Sequence, residues 1–117
     1  MLLFFLYVPK GMQFTNYVVN ETLKSAKIFY QYEDTLVTIS MEKESETTKI
    51  GKIFDGEVTD SFETETKFGP VEIKKIMTPE GEEDYVAQIA YDNCQYVIYG
   101  VLPQNEFKQM IQMINFY

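Results

Sequence analysis

The chain contains no histidine and no tryptophan, and because every one of its ten basic residues is a lysine it has no arginine either. Losing histidine removes the commonest general base at neutral pH and the commonest metal ligand. Losing arginine removes the planar fork that clamps phosphate or carboxylate with two parallel hydrogen bonds. Cysteine is nearly absent as well. Cys94 stands alone, so the chain can form neither an internal disulfide nor a cysteine-based zinc site. With no histidine to activate it, Cys94 reads as a small half-buried strand residue and not as a nucleophile. The six glycines are scattered and never form a glycine-rich turn opening a helix, which leaves no phosphate cradle. No cofactor and no metal site is therefore expected.

Positive charge is also scarce. Eighteen acidic residues face ten lysines, giving a net charge of −8. That balance opposes binding to nucleic acid, which depends on neutralising phosphates, and to anionic membrane surfaces. The excess is concentrated: between Glu42 and Asp84 there are thirteen acids and six lysines, so this stretch alone carries −7. Solvated hairpin faces account for it more simply than an acidic docking surface. The apolar run Leu2–Leu6 is too short to span a bilayer, lacks a basic leader and a cleavage site, and is stopped by Pro9. It reads as an edge or core strand, and no direct membrane insertion is expected of this domain. Met1 abuts that strand directly, as in a piece of a longer protein.

A 117-residue chain with 45% hydrophobic content suffices for one domain with one core, assigned to residues 1–117. Turn signals punctuate it regularly: Pro9-Lys10-Gly11, Glu33-Asp34, Asp55-Gly56, Phe68-Gly69-Pro70, Thr78–Gly81 and Asp92-Asn93. Between them the hydrophobic period is two. Ile28, Tyr30 and Tyr32 share a face, as do Val37, Ile39 and Met41. Tyr85, Ala87, Ile89 and Tyr91 form another row. In Glu57–Thr66, Val58, Phe62 and Thr64 fall on one face, interrupted by Asp60. Gln95–Val101 is apolar on both sides, as a central strand requires. Asn16–Lys27 is ambiguous and has room for a turn of helix. After Pro103 the period changes: Phe107, Met110, Ile111 and Ile114 follow the i, i+3, i+4, i+7 spacing of one helix face. Burying those four side chains is worth about 6–12 kcal/mol before entropy. A helix this short is marginal alone and must pack on the sheet. The predicted fold is α+β, an antiparallel, meander-like curved sheet with a C-terminal helix packed on one face.

Two stretches carry a resemblance. Tyr7–Met12, read Tyr-Val-Pro-Lys-Gly-Met, resembles the leucine-proline-glutamate-glycine-tyrosine opening of a bacterial domain family of unknown function. Tyr91–Asn93, Tyr96–Phe107 and Met110–Ile114 are similar to its closing signature: a hairpin, a tyrosine-containing strand ending in glycine, then a helix. Pro103 stands where that family usually has a capping serine, and the tryptophan often found in the penultimate strand is missing. The resemblance implies an extracytoplasmic α+β module, placed after a transmembrane helix in Gram-positive anti-sigma-like and other membrane-anchored proteins, and no catalytic group.

Three functional expectations follow. The first is a non-enzymatic extracytoplasmic binding or sensing module for a protein, peptide or glycan ligand. Its candidate aromatic surface is Tyr30, Tyr32, Tyr85, Tyr91, Tyr96 and Tyr99, although strand tyrosines mostly serve cores. The second is a self-associating domain, a homodimer paired through the edge of Leu2–Val8. The third is a carboxylate hydrolase using Glu63 and Glu65 with Glu57, Asp60 and Glu72 nearby; their polar surroundings give no reason for a raised pKa. The Glu80–Asp84 run lacks the alternating acids of a calcium loop and reads as a solvated turn. Asn20-Glu21-Thr22 matches a glycosylation sequon by chance.

Overall fold

The computed structural model describes residues 3–22, 24–43 and 57–116. Nine strands and one helix occupy them: β1 (Leu3–Phe5), β2 (Met12–Asn20), β3 (Ser25–Tyr32), β4 (Thr35–Lys43), β5 (Glu57–Thr66), β6 (Gly69–Met77), β7 (Glu83–Tyr91), β8 (Cys94–Gly100), α1 (Gln104–Gln112) and β9 (Ile114–Phe116). Seven strands form one antiparallel sheet in the order β2-β3-β4-β8-β7-β6-β5. It consists of two meanders, β2 to β4 and β5 to β8, zipped together where β4 pairs with β8. The predicted Asp55-Gly56 turn lies outside the described residues.

The turns follow from local chemistry. Asp92 and Asn93 take φ of 51° and 60°, the left-handed pair that a two-residue hairpin between β7 and β8 demands. β8 occupies the middle of the sheet, which explains why it is apolar on both sides. Tyr96 and Ile98 enter the main core, while Val97 joins Ile76, Val86 and Tyr99 in a small cluster on the other face.

The main core lies between the inner face of the sheet and a cover made of α1 and the β1–β9 ribbon. Val37, Ile39, Ile73, Ala87, Tyr96 and Ile98 form its floor; Phe107, Met110 and Ile111 project from α1. The Tyr85 ring stacks on Phe107 at 5.7 Å, and its hydroxyl donates to Gln104 Oε1 at 3.3 Å. Gln112 Nε2 donates to the buried Thr64 Oγ1 at 2.9 Å, fastening the last helical turn to β5. Pro103 precedes the helix at φ −57° and ψ 140°, and its carbonyl accepts from the N–H groups of Glu106 and Phe107. No side chain caps this end.

Three expectations are corrected. Within Asn16–Lys27, Asn16–Asn20 and Ser25–Lys27 are strand: Tyr17, Val18 and Val19 are aromatic or β-branched residues that favour an extended chain. Ile114 is buried, but it belongs to β9, which pairs with β1, so the helical face ends with Ile111. Val58 does not share a face with Phe62 and Thr64. A bulge between Val58 and Asp60 adds one residue to β5, re-phasing the strand so that Val58 pairs with Ile76 while Phe62 pairs with Ile73. The apolar opening run is held along one of its two edges. β1 pairs with β9 inside the chain, and Leu3 and Phe5 are buried.

Candidate functional site

The cover does not extend over the whole inner face. α1 packs against β5 and β7, and Phe5 reaches Tyr30 with ring centroids 6.1 Å apart. Beyond that point one continuous cross-strand row, Val19–Ala26–Met41–Tyr96, runs from the sheet edge to its centre. Paired residues share a face, so this row forms a floor. It lines a groove of about 660 Å³ with Cys94, and polar or charged residues make the rim, among them Glu21, Lys24, Lys43 and Asp92. Behind its inner end, Phe116 stacks on Tyr91 at 4.0 Å and 9° and lies 5.1 Å from Tyr96. Burial pushes the Tyr96 hydroxyl up to about 12, with Cys94 a lesser cause, so it stays protonated under all ordinary conditions.

The six predicted tyrosines do not form one surface. Tyr85 and Tyr96 are core residues, at 3% and 0% exposure. Tyr30, Tyr32 and Tyr91 are partly buried against the same core, and Tyr99 lies on the opposite face with Ile76, Val86 and Val97. Alternation separates Tyr99 from the rest, and the helix takes Tyr85 for its own packing. Only Tyr96 belongs to the groove. The sequence reading missed Val19, Ala26 and Met41. The uncharged, β-branched composition of Met12–Asn20 was the available signal for the strand that brings Val19 there.

The carboxylates stand apart from the groove's floor. Glu63 opposes Glu72 across β5 and β6, and both are exposed, as are Glu57, Asp60 and Glu65. Lys75 pairs with Glu83 at 3.2 Å and Lys74 with Glu72 at 3.8 Å. Among the described residues, no group of three or more cysteines or carboxylates is placed to hold a metal ion.

Asp84 is different. It sits on the outer face opposite Ile76, and its Oδ1 is buried without a hydrogen-bond partner among the described residues. Burial pushes its carboxyl up to about 6, with Glu82 adding to the rise and the Gly100 N–H opposing it. A raised carboxyl pKa means that the folded state holds the proton more tightly than the unfolded chain. The stability from that proton is fully present below about pH 4 and is lost as the pH climbs through 6. The full rise would be worth about 3 kcal/mol, which solvent screening at a part-exposed group reduces to about 1–2 kcal/mol. Asp84→Asn should therefore raise the urea-unfolding free energy by about 1–2 kcal/mol at pH 7.5 and by almost nothing at pH 3.5. An equal gain at both pH values would show that charge burial is not the cause.

The two sequence stretches that carry the family resemblance meet in space. The Tyr7 hydroxyl donates to Glu106 Oε2 at 2.6 Å, and next to it the Leu6 N–H donates to the Met113 carbonyl at 2.8 Å. Among the described residues, no helix is long and apolar enough to cross a membrane.

No curated protein matches the sequence. Among solved structures, the chain is similar to the crystal structure of MucB in complex with MucA(peri), at 13% identity and a TM-score of 0.45. That likeness covers 97% of this chain and 35% of the other, so the present chain spans about a third of its length. A family model described as a domain of unknown function (DUF4367) matches residues 3–114, and the chain belongs to that family.

Proposed function

We propose that the chain is a non-enzymatic, extracytoplasmic binding module that receives an extended apolar segment of a protein partner in the groove over β2, β3 and β4. One observation carries this reading: Val19, Ala26 and Met41 form an apolar floor that the cover leaves open, ending against the buried Tyr96 and rimmed by charged residues of both signs. An apolar floor with a polar rim suits side chains that alternate along an extended peptide. A glycan fits less well, because the Tyr91 and Tyr85 rings are already stacked on Phe116 and Phe107. The extracytoplasmic location, with anchoring by a membrane segment outside this sequence, is supported by the resemblance of the two end motifs.

Panning the protein against a phage library of random dodecapeptides tests the proposal. Enriched sequences should be apolar and should protect the Ala26 and Met41 amides from hydrogen exchange. Met41→Glu should weaken binding at least about tenfold by placing a charge on the apolar floor. Leu36→Glu, on the opposite face, should leave it unchanged. Failure to enrich any peptide, or equal binding by Met41→Glu, would exclude the groove as the site.

A further inference from the structure

The two edges of the seven-stranded sheet are treated very differently by the sequence. β5 closes one edge with Glu57, Asp60, Glu63 and Glu65 in ten residues and a bulge between Val58 and Asp60. Charges and bulges of this kind stop an edge from pairing with another chain. β2 forms the other edge. It runs for nine residues, Met12–Asn20, without a charge or a proline, and among the described residues it pairs only with β3. Phe14, Tyr17, Val18 and Val19 are 57%, 64%, 52% and 57% exposed. Its own bulge lies between Phe14 and Asn16, so Asn16–Asn20 pairs regularly with Phe29–Ser25 and presents a straight edge.

The geometry points to a second copy of this chain as the occupant of that edge: β2 pairs antiparallel with β2 of its copy about a twofold axis at Val18, joining two sheets into one. The sequence of the segment selects this occupant. Asn16-Tyr17-Val18-Val19-Asn20 is nearly symmetric in chemistry about its centre. With Val18 facing Val18 of the copy, each Asn16 faces an Asn20, and each Tyr17 faces a Val19. Aromatic–β-branched pairs and matched polar ends are favourable cross-strand neighbours. A twofold contact uses the same patch on both copies, which a near-palindromic strand satisfies by itself.

Charge distribution agrees with this arrangement. Each copy carries −8, so any contact must overcome repulsion, and most of that charge belongs to Glu42–Asp84. The acidic edge strand β5 is the furthest of the seven from β2. Pairing through β2 therefore holds the two acidic edges as far apart as the joined sheet allows. A one-strand contact is small, which implies a reversible dimer in the micromolar range and not an obligate one. The contact is independent of what the groove binds, although the copy's Tyr17 and Val19 would lengthen the groove floor.

Sedimentation velocity on the full chain tests the contact. The wild type should pass from monomer to dimer between about 1 and 200 µM, with the dimer favoured by added salt. Val18→Lys and Val18→Glu each place like charges face to face and should weaken dimerisation about a hundredfold or more. An equimolar mixture of the two should recover a dimer, because lysine then faces glutamate. In a Cys94→Ser background, Val18→Cys should crosslink under mild oxidation, since directly opposed antiparallel residues lie within disulfide reach. Leu36→Cys should not. Far-UV circular dichroism establishes that each variant is folded. A wild type that stays monomeric throughout the range, a Val18→Lys variant that dimerises as well as wild type, or a mixture that fails to recover the dimer overturns the assignment.

Discussion

Replacing Phe107 with alanine should lower the unfolding free energy by about 3–5 kcal/mol and the melting temperature by about 10–20 °C. Phe107 has no solvent exposure and lies at the centre of the cover. Its ring stacks against Tyr85, which in turn donates to Gln104, so one truncation loosens both the packing and the polar contact that fix the helix entry. The helix has no side-chain cap and only nine residues, and it depends on this burial for its existence. A domain of this size has a total stability of about 5–15 kcal/mol, so the variant should be substantially unfolded in moderate urea. Lys108→Ala, exposed on the same helix, should change stability by no more than about 0.5 kcal/mol. Urea titration of the three proteins decides the matter. A loss below about 1 kcal/mol for Phe107→Ala would mean that the cover is not held by its apolar stripe.

Gly100→Ala should cost about 1–3 kcal/mol, a large penalty for a single methyl group. Gly100 lies at the seam where the two meanders join, opposite Val37 on one side and Tyr85 on the other. A Cβ built there would meet Val37 Cγ2 at 2.9 Å, Val37 Cα at 3.0 Å and the Leu36 carbonyl oxygen at 3.1 Å. Two of those three atoms are backbone, so the clash cannot be relieved by a rotamer change and β4 must move away from β8. Adding Val37→Ala should recover only part of the loss, because the Cα and carbonyl contacts persist. Full recovery in the double variant, read from urea midpoints, would place the clash on the side chain alone.

Much of this architecture was legible in the residues. The two-residue alternation of Tyr85, Ala87, Ile89 and Tyr91 identified the inner face of β7. The two-sided apolar Gln95–Val101 run identified the strand at the middle of the sheet. The spacing of Phe107, Met110 and Ile111 identified the helix and its buried side. What failed was what local pattern does not encode. Val58 reads as an inward residue until the bulge shifts the phase by one, and bulges have no reliable signature in a single strand. Ile114 fits the helical spacing and is buried, yet pairing with Phe5 across the length of the chain makes it strand. The groove was illegible for a related reason. Tyr85 and Tyr96 are equally aromatic and equally placed on strands, and only the position of the helix and of Phe116 decides which part of the inner face is left open. The β4–β8 seam is likewise a long-range choice that no short segment declares.

The β1–β9 ribbon ties Leu3 to Phe116, residues at opposite ends of the described chain. During synthesis the sheet can assemble strand by strand, but its lid cannot close until β9 has followed β1 out of the ribosome. Until then the floor formed by Ile39, Ile73 and Ile98 is bare hydrocarbon facing water or a chaperone. Closure of the core thus waits for Ile114–Phe116, and a chain cut before α1 would be a sheet without its roof.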